Sequence, residues 1–329
     1  MGEARVPHEF GRAFTDDSIP HPTLPRKRGR DDDCTPMSAD SVVLRRGSSY
    51  AFQQLARAFN ANATSWIGLI AFLVIVALAV LAPLISPYDP LDQDILARLE
   101  GPSVAHWFGT DSYGRDILSR LLWGARLSLV ISTVSILAAM LIGGVIGILS
   151  GYVGGRFDMV VMQAMDVLLS FPSLIMGLMV VAMLGASMGN LMIAIALTAI
   201  APFARIARAP TILVKERDYI EACRALGYSD LRIMTIHILP NIVAEILVMA
   251  SLWLATAIRI EASLSFIGLG VRPPTATWGG MIREGFENIL DSASLSIFPS
   301  LAILLVVFSL NMLGDGLRDA IDPKLRGGE

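Results

Sequence analysis

The chain has 329 residues, of which 54% are hydrophobic and only 17% are charged, and its mean hydropathy is +0.60. Ordinary soluble domains are about 25% charged, so this composition excludes a simple soluble enzyme. The net charge is −3 and the basic residues are divided among separate loops, so no nucleic-acid partner is expected. The two cysteines, Cys34 and Cys223, supply neither a disulfide framework nor a C-x-x-C metal site.

The N-terminal segment, residues 1–46, is predicted to be disordered and cytoplasmic. It mixes Pro, Arg and Asp without apolar periodicity, so it cannot bury a core. Its first part, residues 1–36, is predicted to be dispensable for assembly in the membrane. The later boundaries are 47–124 for a first transmembrane helix with its external loop, 125–313 for the transmembrane core and 314–329 for a cytoplasmic tail.

Six stretches are long and apolar enough to cross a bilayer, which needs about 20 consecutive apolar helical residues. Four of them have no charged residue: Trp66–Ile85, Leu127–Leu149, Ala186–Ala204 and Leu295–Leu313. Two contain charges: Met159–Leu184 contains Asp166, and Asn241 to about Leu264 contains Glu245, Arg259 and Glu261. The predicted fold class is therefore an all-α integral membrane protein with six transmembrane helices.

Lysine and arginine are unevenly distributed between the two sides of these spans. Nine precede the first span and six lie in Arg205–Pro240, whereas Ser86–Ala125 holds three and Ser265–Ser294 holds two. Segments rich in Lys and Arg stay in the cytoplasm. Both termini are therefore predicted to be cytoplasmic.

Charged residues inside spans are functional candidates, because burying a charge in the bilayer is expensive. Asp166 lies about two turns from the cytoplasmic end of its span. It either lines or gates a path, or makes a structural hydrogen bond near Pro172. The charges of Glu245, Arg259 and Glu261 lie close enough to helix ends to reach an interface or to pair there.

Four glycines recur in the second span: Gly143, Gly144, Gly147 and Gly151. Small residues at such spacing let a neighbouring helix approach closely. They predict packing against a partner helix rather than contact with a solute.

The first external loop is acidic and contains six carboxylates: Asp89, Asp92, Asp94, Glu100, Asp111 and Asp116. Two interpretations stay open, because the loop either meets a soluble binding protein or contains an Arg115–Asp116 pair at the membrane surface. Trp107 and Trp278 are predicted to anchor at the membrane interface, where Trp is enriched.

The chain has no sequence motif for hydrolysing a nucleotide or holding a metal. None of its three lysines follows a glycine, so it has no G-K-S/T phosphate loop, and its four histidines show no H-E-x-x-H spacing. The chain is predicted to be non-catalytic, without a cofactor or metal.

The connection Arg205–Pro240 carries signals for two short helices. Asp218 is predicted to cap a helix over Tyr219–Leu226, with Glu221 reaching back to the cap. Gly227 is predicted to end this helix in the left-handed conformation. Four residues recur at helical spacing and predict one apolar side: Tyr219, Ala222, Cys223 and Leu226.

The second helix of this connection is predicted to begin at Ser229 or Asp230. Proline disrupts a helix interior, so the helix should end before Pro240. The result is a short helical hairpin projecting from the membrane.

This hairpin resembles the cytoplasmic loop of the inner-membrane permeases of binding-protein-dependent ABC importers. The family pattern is E-A-A, three residues, G, nine residues and I-x-L-P, and it is matched by Glu221, Ala222, Cys223, Gly227, Leu239 and Pro240. Two positions depart from the pattern, with Cys223 in place of Ala and His237 in place of Ile. The resemblance implies a coupling helix that docks on a separate ATPase subunit and involves Tyr219, Glu221, Ala222, Cys223, Leu226, Gly227, Leu239 and Pro240.

Further motifs narrow the resemblance to the second ("C") subunit of the dipeptide, oligopeptide, glutathione and nickel permeases. They include His106–Asp111, Gly114–Asp116, Ser170–Pro172, Glu261–Gly270 and Asn311–Asp315, and the likeness covers about Trp66–Lys324. It implies a type I ABC importer permease in the bacterial inner membrane. The implied partners are a homologous permease subunit, two cytoplasmic ATPase subunits, a periplasmic solute-binding protein and membrane lipid.

The function expected from this resemblance is import of dipeptides or oligopeptides, with ATP hydrolysed by the separate subunits. Glutathione or nickel-chelate import by the same architecture is the alternative. A proton-coupled secondary carrier belongs to a different class and needs a titratable residue near the bilayer centre, where only Asp166 comes close. A membrane scaffold without transport would leave the helical hairpin unexplained.

Overall fold

The structure is a computed structural model that describes residues 63–321, with side chains from 64 to 319. Within this range it contains nine α-helices: α1 Ala63–Ile85, α2 Ile117–Val153, α3 Gly155–Leu169, α4 Ser173–Leu184, α5 Met188–Lys215, α6 Asp218–Ala225, α7 Asp230–Ile267, α8 Trp278–Glu287 and α9 Ser294–Ile321. The predictions for residues 1–46, including Cys34, and for the last residues of the tail lie outside the described residues.

Five of the described helices, α1, α2, α5, α7 and α9, are long and apolar enough to cross a membrane. α3 and α4 make a sixth span when they are taken together, so the predicted all-α membrane class is confirmed. The prediction of one continuous helix over Met159–Leu184 was wrong, because α3 and α4 meet at 87°. The break contains Pro172, which disfavours helical geometry in the residue before it.

The sides of the bundle are named from α6, which connects α5 to α7. The α6 side holds the ends of α2 and α5 and the beginnings of α3 and α7, as successive spans alternate in direction. The opposite side holds residues 86–116 and α8.

α2 and α5 approach each other closely along three glycines of α2. A methyl group on each glycine would come within 3.0 Å of an α5 side-chain carbon, for Gly143 against Phe203, Gly147 against Ala207 and Gly151 against Thr211. The prediction of close helix packing is therefore confirmed for these three. It was wrong for Gly144, which has open space beside it.

α7 is shared by two hydrophobic cores. One core joins α7 to α2 and α5, for example through Ile131, Phe203 and Leu264. The other joins α7 to α1 and α9, through Ala255, Ala79 and Val306. A displacement of α7 therefore affects both halves of the bundle.

α8 is attached to the opposite side through Trp278, which is 1% exposed. Its indole Nε1 donates to the Leu121 carbonyl oxygen at 3.1 Å. The prediction that Trp278 anchors at the membrane interface was wrong, because the side chain fills a packed core. Trp107 is 67% exposed, as an interfacial anchor requires.

Candidate functional site

α6 is an eight-residue helix whose one fully buried side chain is Ile220. Ile220 packs in the core that contains Val214 at the end of α5 and Ile233 at the start of α7. Of the four residues that the sequence places on one apolar side, Tyr219, Ala222 and Leu226 are exposed and Cys223 is partly buried. The exposed apolar side faces away from the chain.

The beginning of α6 differs from the predicted capping box. Arg217 occupies the N-cap and makes no side-chain cap bond, while Asp218 and Glu221 lie in the first turn. The Glu221 amide donates to the Arg217 carbonyl at 3.3 Å. The two acids instead place negative charge near the positive end of the helix dipole.

α6 ends just before Gly227, as the sequence predicts. Gly227 has φ +79°, in the left-handed region that glycine adopts without a Cβ penalty. The Tyr228 amide donates to the Cys223 carbonyl at 3.1 Å, and the Gly227 amide donates to the Arg224 carbonyl at 2.9 Å. These two bonds form a Schellman motif, which turns the chain from α6 into α7.

Tyr152 at the end of α2 ties this connection to the bundle. Its hydroxyl donates to the Asp230 carboxylate at 2.5 Å. The Arg224 guanidinium lies 5.3 Å from the centre of the Tyr152 ring, within the range of a cation–π contact. One side chain of a span thus contacts both α6 and the beginning of α7.

The prediction that a short helix ends before Pro240 was wrong. The helical run continues from Asp230 to Ile267, and residues Ile233–Ile238 form a π-helical turn just before Leu239 and Pro240. The Leu239 amide bonds to the Met234 carbonyl, five residues back. A wider turn of this kind re-pairs backbone groups where an α-helix cannot accept proline. The chain that follows α6 therefore enters a membrane span without an intervening loop beyond Asp230.

Two ion pairs connect α3 to α5 on the α6 side. Asp166 pairs with Arg205, and their side chains are 47% and 52% exposed. Asp158 accepts two bonds from Arg208, both at 2.5 Å, and a third at 2.6 Å from Ser150. The Asp166 carboxylate therefore bonds across to α5, and the predicted alternative of a hydrogen bond near Pro172 is not observed.

A buried ion cluster joins the beginning of α2 to α8. Asp111 is fully buried and bonds to Arg115 at 2.6 Å and to Arg120. The Glu284 carboxylate of α8 accepts a hydrogen bond from the Arg120 guanidinium at 2.9 Å. The interpretation in which Arg115 pairs with Asp116 is wrong, because Arg115 binds Asp111 instead. Asp116 caps α2 by accepting a hydrogen bond from the Ser119 amide at 2.8 Å.

The remaining acids of this loop are available at the surface. Asp89, Asp92, Asp94 and Glu100 are exposed, whereas Asp111 and Asp116 are buried. The six carboxylates that the sequence grouped together thus divide into an exposed set and a structural set.

Glu261 lies inside the bundle rather than at an interface as predicted. It is fully buried, and one carboxylate oxygen accepts from Ser265 Oγ at 2.8 Å. Its second oxygen has no hydrogen-bond partner among the described residues. Within residues 63–321, no three His, Cys, Asp or Glu side chains come together as metal ligands.

Comparison with protein families shows two matches. The family described as "binding-protein-dependent transport system inner membrane component" matches residues 143–327. The "N-terminal TM domain of oligopeptide transport permease C" matches residues 51–102.

Individual relatives agree with these families. The glutathione transport system permease protein GsiD of Pectobacterium atrosepticum is 45% identical over 255 residues, covering 77% of this chain and 85% of that protein. The dipeptide transport system permease protein DppC of Alkalihalophilus pseudofirmus is 40% identical over 276 residues, covering 84% and 90%. A structure of the MetNI methionine ABC transporter in an inward-facing conformation shares the fold, with a TM-score of 0.51 at 18% identity over 63% of this chain and 98% of that chain.

Proposed function

Because the chain belongs to the family of inner membrane components of binding-protein-dependent transport systems, we propose that it is a permease subunit that imports peptides, with glutathione as the alternative cargo. It is a multi-pass inner membrane protein, and it resembles permeases named for dipeptides and for glutathione. In this proposal the subunit is not itself catalytic, and ATP is hydrolysed by separate subunits.

The observation that carries the proposal is the exposed side of α6. Leu226 is 74% exposed and Tyr219 is 40% exposed, although both are apolar or aromatic. Glu221 is exposed between them and has no side-chain bond to the described residues. A short helix with such a surface, ended by a Schellman motif, suits docking into a groove of another protein. We propose that this surface of α6 docks on the ATPase subunit.

Transmission from α6 to the membrane has a physical basis in the contacts of α6 and α7. Ile220 fixes α6 to the core of α5 and α7, and α7 runs from the π turn at Ile233–Ile238 to Ile267 without a break. A pull on α6 by a closing ATPase dimer therefore tilts α7. Alternating access of this kind moves rigid elements around a fixed path.

A second permease subunit completes the path in this proposal. α3 has Met165 as its only buried residue, and its neighbour α4 is also mostly exposed. The half-exposed Asp166–Arg205 pair would be expensive to place against lipid. We therefore propose that the exposed side of α3 and α4 lines the path and contacts the homologous subunit. Asp166 is then a path or gate residue.

The α6 side is proposed to be cytoplasmic, which places both termini in the cytoplasm. The concentration of Lys and Arg in Arg205–Pro240 supports this orientation. The opposite side is then periplasmic, and the exposed acids Asp89, Asp92, Asp94 and Glu100 suit the docking of a soluble binding protein.

The coupling role is tested by the same substitution on the two sides of the membrane. Leu226→Ser removes an apolar contact from the exposed side of α6, and the matched control Leu290→Ser changes a 97% exposed leucine between α8 and α9. The complex is purified with its ATPase and partner subunits and reconstituted with its binding protein. ATPase co-purification and ATP-driven uptake of a labelled dipeptide and of glutathione are measured.

We expect Leu226→Ser to lose ATPase subunits and uptake, while Leu290→Ser retains both. The stronger double variant Glu221→Ala, Gly227→Val should separate ATP hydrolysis from uptake while the chain stays inserted. Full ATPase retention and full uptake in both α6 variants would refute the coupling assignment. Uptake that follows a proton gradient and ignores ATP would identify a proton-coupled secondary carrier instead.

A further inference from the structure

The exposed residues of α7 differ in character between its two sides. Asn241 and Arg259 are 18 residues apart, which is five turns of 3.6 residues, so they lie on one line along the helix. Glu245 lies one turn from Asn241 on the same side. All three are exposed, although they lie in a helix that crosses the membrane. This side is called the polar side of α7.

The other exposed side of α7 is apolar. Val243 and Leu247 lie there, in a groove that is also lined by Leu141 and Val145 of α2. Such a surface suits contact with lipid. One exposed side of α7 therefore fits hydrocarbon and the other does not.

The polar side carries two opposite charges at different depths. Glu245 and Arg259 are separated by 14 residues, or about 21 Å along the helix. Glu245 lies towards the α6 side, and Arg259 lies eight residues before the opposite end at Ile267. Charged residues in spans face a bundle interior or a water-filled cavity. The polar side of α7 therefore faces the path or another protein.

Arg259 differs from the two arginines of α5. Arg205 pairs with Asp166, and Arg208 pairs with Asp158. Arg259 donates only to Thr256 Oγ1, at 3.0 Å, and has no carboxylate partner among the described residues. Its guanidinium therefore keeps most of its donors available for an anion.

Arg126 provides an internal comparison. It is also exposed and also lacks a carboxylate partner among the described residues, but it lies 5.8 Å from the Trp123 ring. The exposed positions that follow it on α2 include Val130, Val134 and Leu137, which are apolar. Arg126 thus begins a lipid-type surface, whereas Arg259 has the polar Thr256 beside it. Further along the same side of α7, the partly buried Leu252 packs against Gly314 of α9 and separates Arg259 from Glu245 and Asn241.

We propose that Arg259 is a binding site for a carboxylate of the transported peptide, at the opposite-side mouth of the path. The proposal rests on the proposed function and adds the chemical group that the permease recognises. A guanidinium offers a carboxylate two parallel hydrogen bonds, which an ammonium cannot match.

The test compares a dipeptide with its C-terminal amide, each loaded on the binding protein at saturation. Uptake into vesicles is measured for the full complex carrying wild-type chain, Arg259→Gln, Arg259→Lys or the control Arg126→Gln. For the free-acid dipeptide we expect Arg259→Gln to reduce uptake about tenfold, since a charge-assisted bond of this kind changes binding by roughly that factor. Arg259→Lys should restore part of the loss, and Arg126→Gln should change nothing.

The amide separates the possible outcomes. Its uptake should be slower than that of the free acid with the wild-type chain, and equal to it with Arg259→Gln. The proposal would be overturned if Arg259→Gln reduced the uptake of acid and amide equally, or reduced neither. It would also be overturned if the Arg259→Gln complex lost its partner subunit. A wild-type complex that takes up neither of these peptides nor glutathione would contradict the proposed function instead.

Discussion

Cys223 Sγ lies 3.8 Å from His237 Nε2, so the end of α6 contacts the π turn of α7. These are the two positions at which the chain departs from the loop pattern of its family, which has Ala and Ile there. The His237 ring also stacks on Tyr228, with ring centroids 6.1 Å apart. The two departures therefore occur as one contact rather than as two independent changes.

Restoring the family residues at this contact should give non-additive effects. Cys223→Ala and His237→Ile each leave one partner without the other, whereas the double variant removes both. We expect an interaction energy of at least about 0.5 kcal/mol in a double-mutant cycle, as for residues in direct contact. Thermal unfolding of the purified chain in detergent measures it, and strictly additive shifts would show that the two side chains are uncoupled.

Ile220→Ala should loosen α6 from the bundle. The side chain is fully buried between α5 and α7, and removing its methyl groups costs about 2–5 kcal/mol in a packed core. Limited trypsin digestion at Arg217 and Arg224 should become faster. Leu226→Ala is the matched change on the exposed side, and it should leave the cleavage rate unchanged. Equal rates in the two variants would contradict the buried position of Ile220.

Gly147→Ala should disrupt the packing of α2 on α5. The new methyl carbon would lie 2.9 Å from Ala207 Cβ, and overpacking of this kind costs about 1–3 kcal/mol. Gly144→Ala adds the same methyl group where nothing lies within 4 Å. Thermal unfolding should show a loss of stability for Gly147→Ala only. A comparable loss for Gly144→Ala would mean that another subunit covers the side of α2 that carries Gly144.

Glu284→Gln should destabilise the attachment of α8. It leaves Arg120 and Arg115 with Asp111 as their shared acid, and breaking a buried pair costs about 3–5 kcal/mol. Glu287→Gln breaks the exposed pair with Arg283, which is worth about 0–1 kcal/mol. Hydrogen exchange of the α8 amides compares the two variants. Similar exchange in both would contradict the buried cluster.

The orientation is checked by labelling single cysteines with an impermeant maleimide in intact cells. A cysteine at exposed Ser103 should be labelled from outside, and native Cys223 should not be labelled. Permeabilised cells are the control, in which partly buried Cys223 should become accessible. The reverse pattern would invert the proposed topology.

The sequence predicts those features of the fold that depend on local chemistry. The spans could be predicted because a helix in hydrocarbon needs a long apolar run. Gly227 could be predicted because a left-handed residue at the end of a helix favours glycine. The buried side of α6 could not be predicted in this way, because apolar residues lie on both sides of an eight-residue helix. Only the packing of α5 and α7 selects Ile220.

Two other features depend on relationships that a local pattern does not contain. The rule that proline ends a helix failed at Pro240, because the π turn before it rearranges the backbone bonds. The cluster around Asp111 includes Glu284, which is far away in the sequence and has no local signal. The sequence shows charged residues at these positions, and the fold decides which of them pair.

The buried cluster at the beginning of α2 also has a consequence for the order of events during synthesis. Glu284 follows Arg120 by 164 residues, so the ribosome needs roughly ten to thirty seconds to add it at about 5–20 residues per second. Until then Arg115 and Arg120 share Asp111 alone. The charge cluster at the beginning of α2 is therefore complete only after α8 has been synthesised, and a chain truncated before Glu284 would lack one of its two acids.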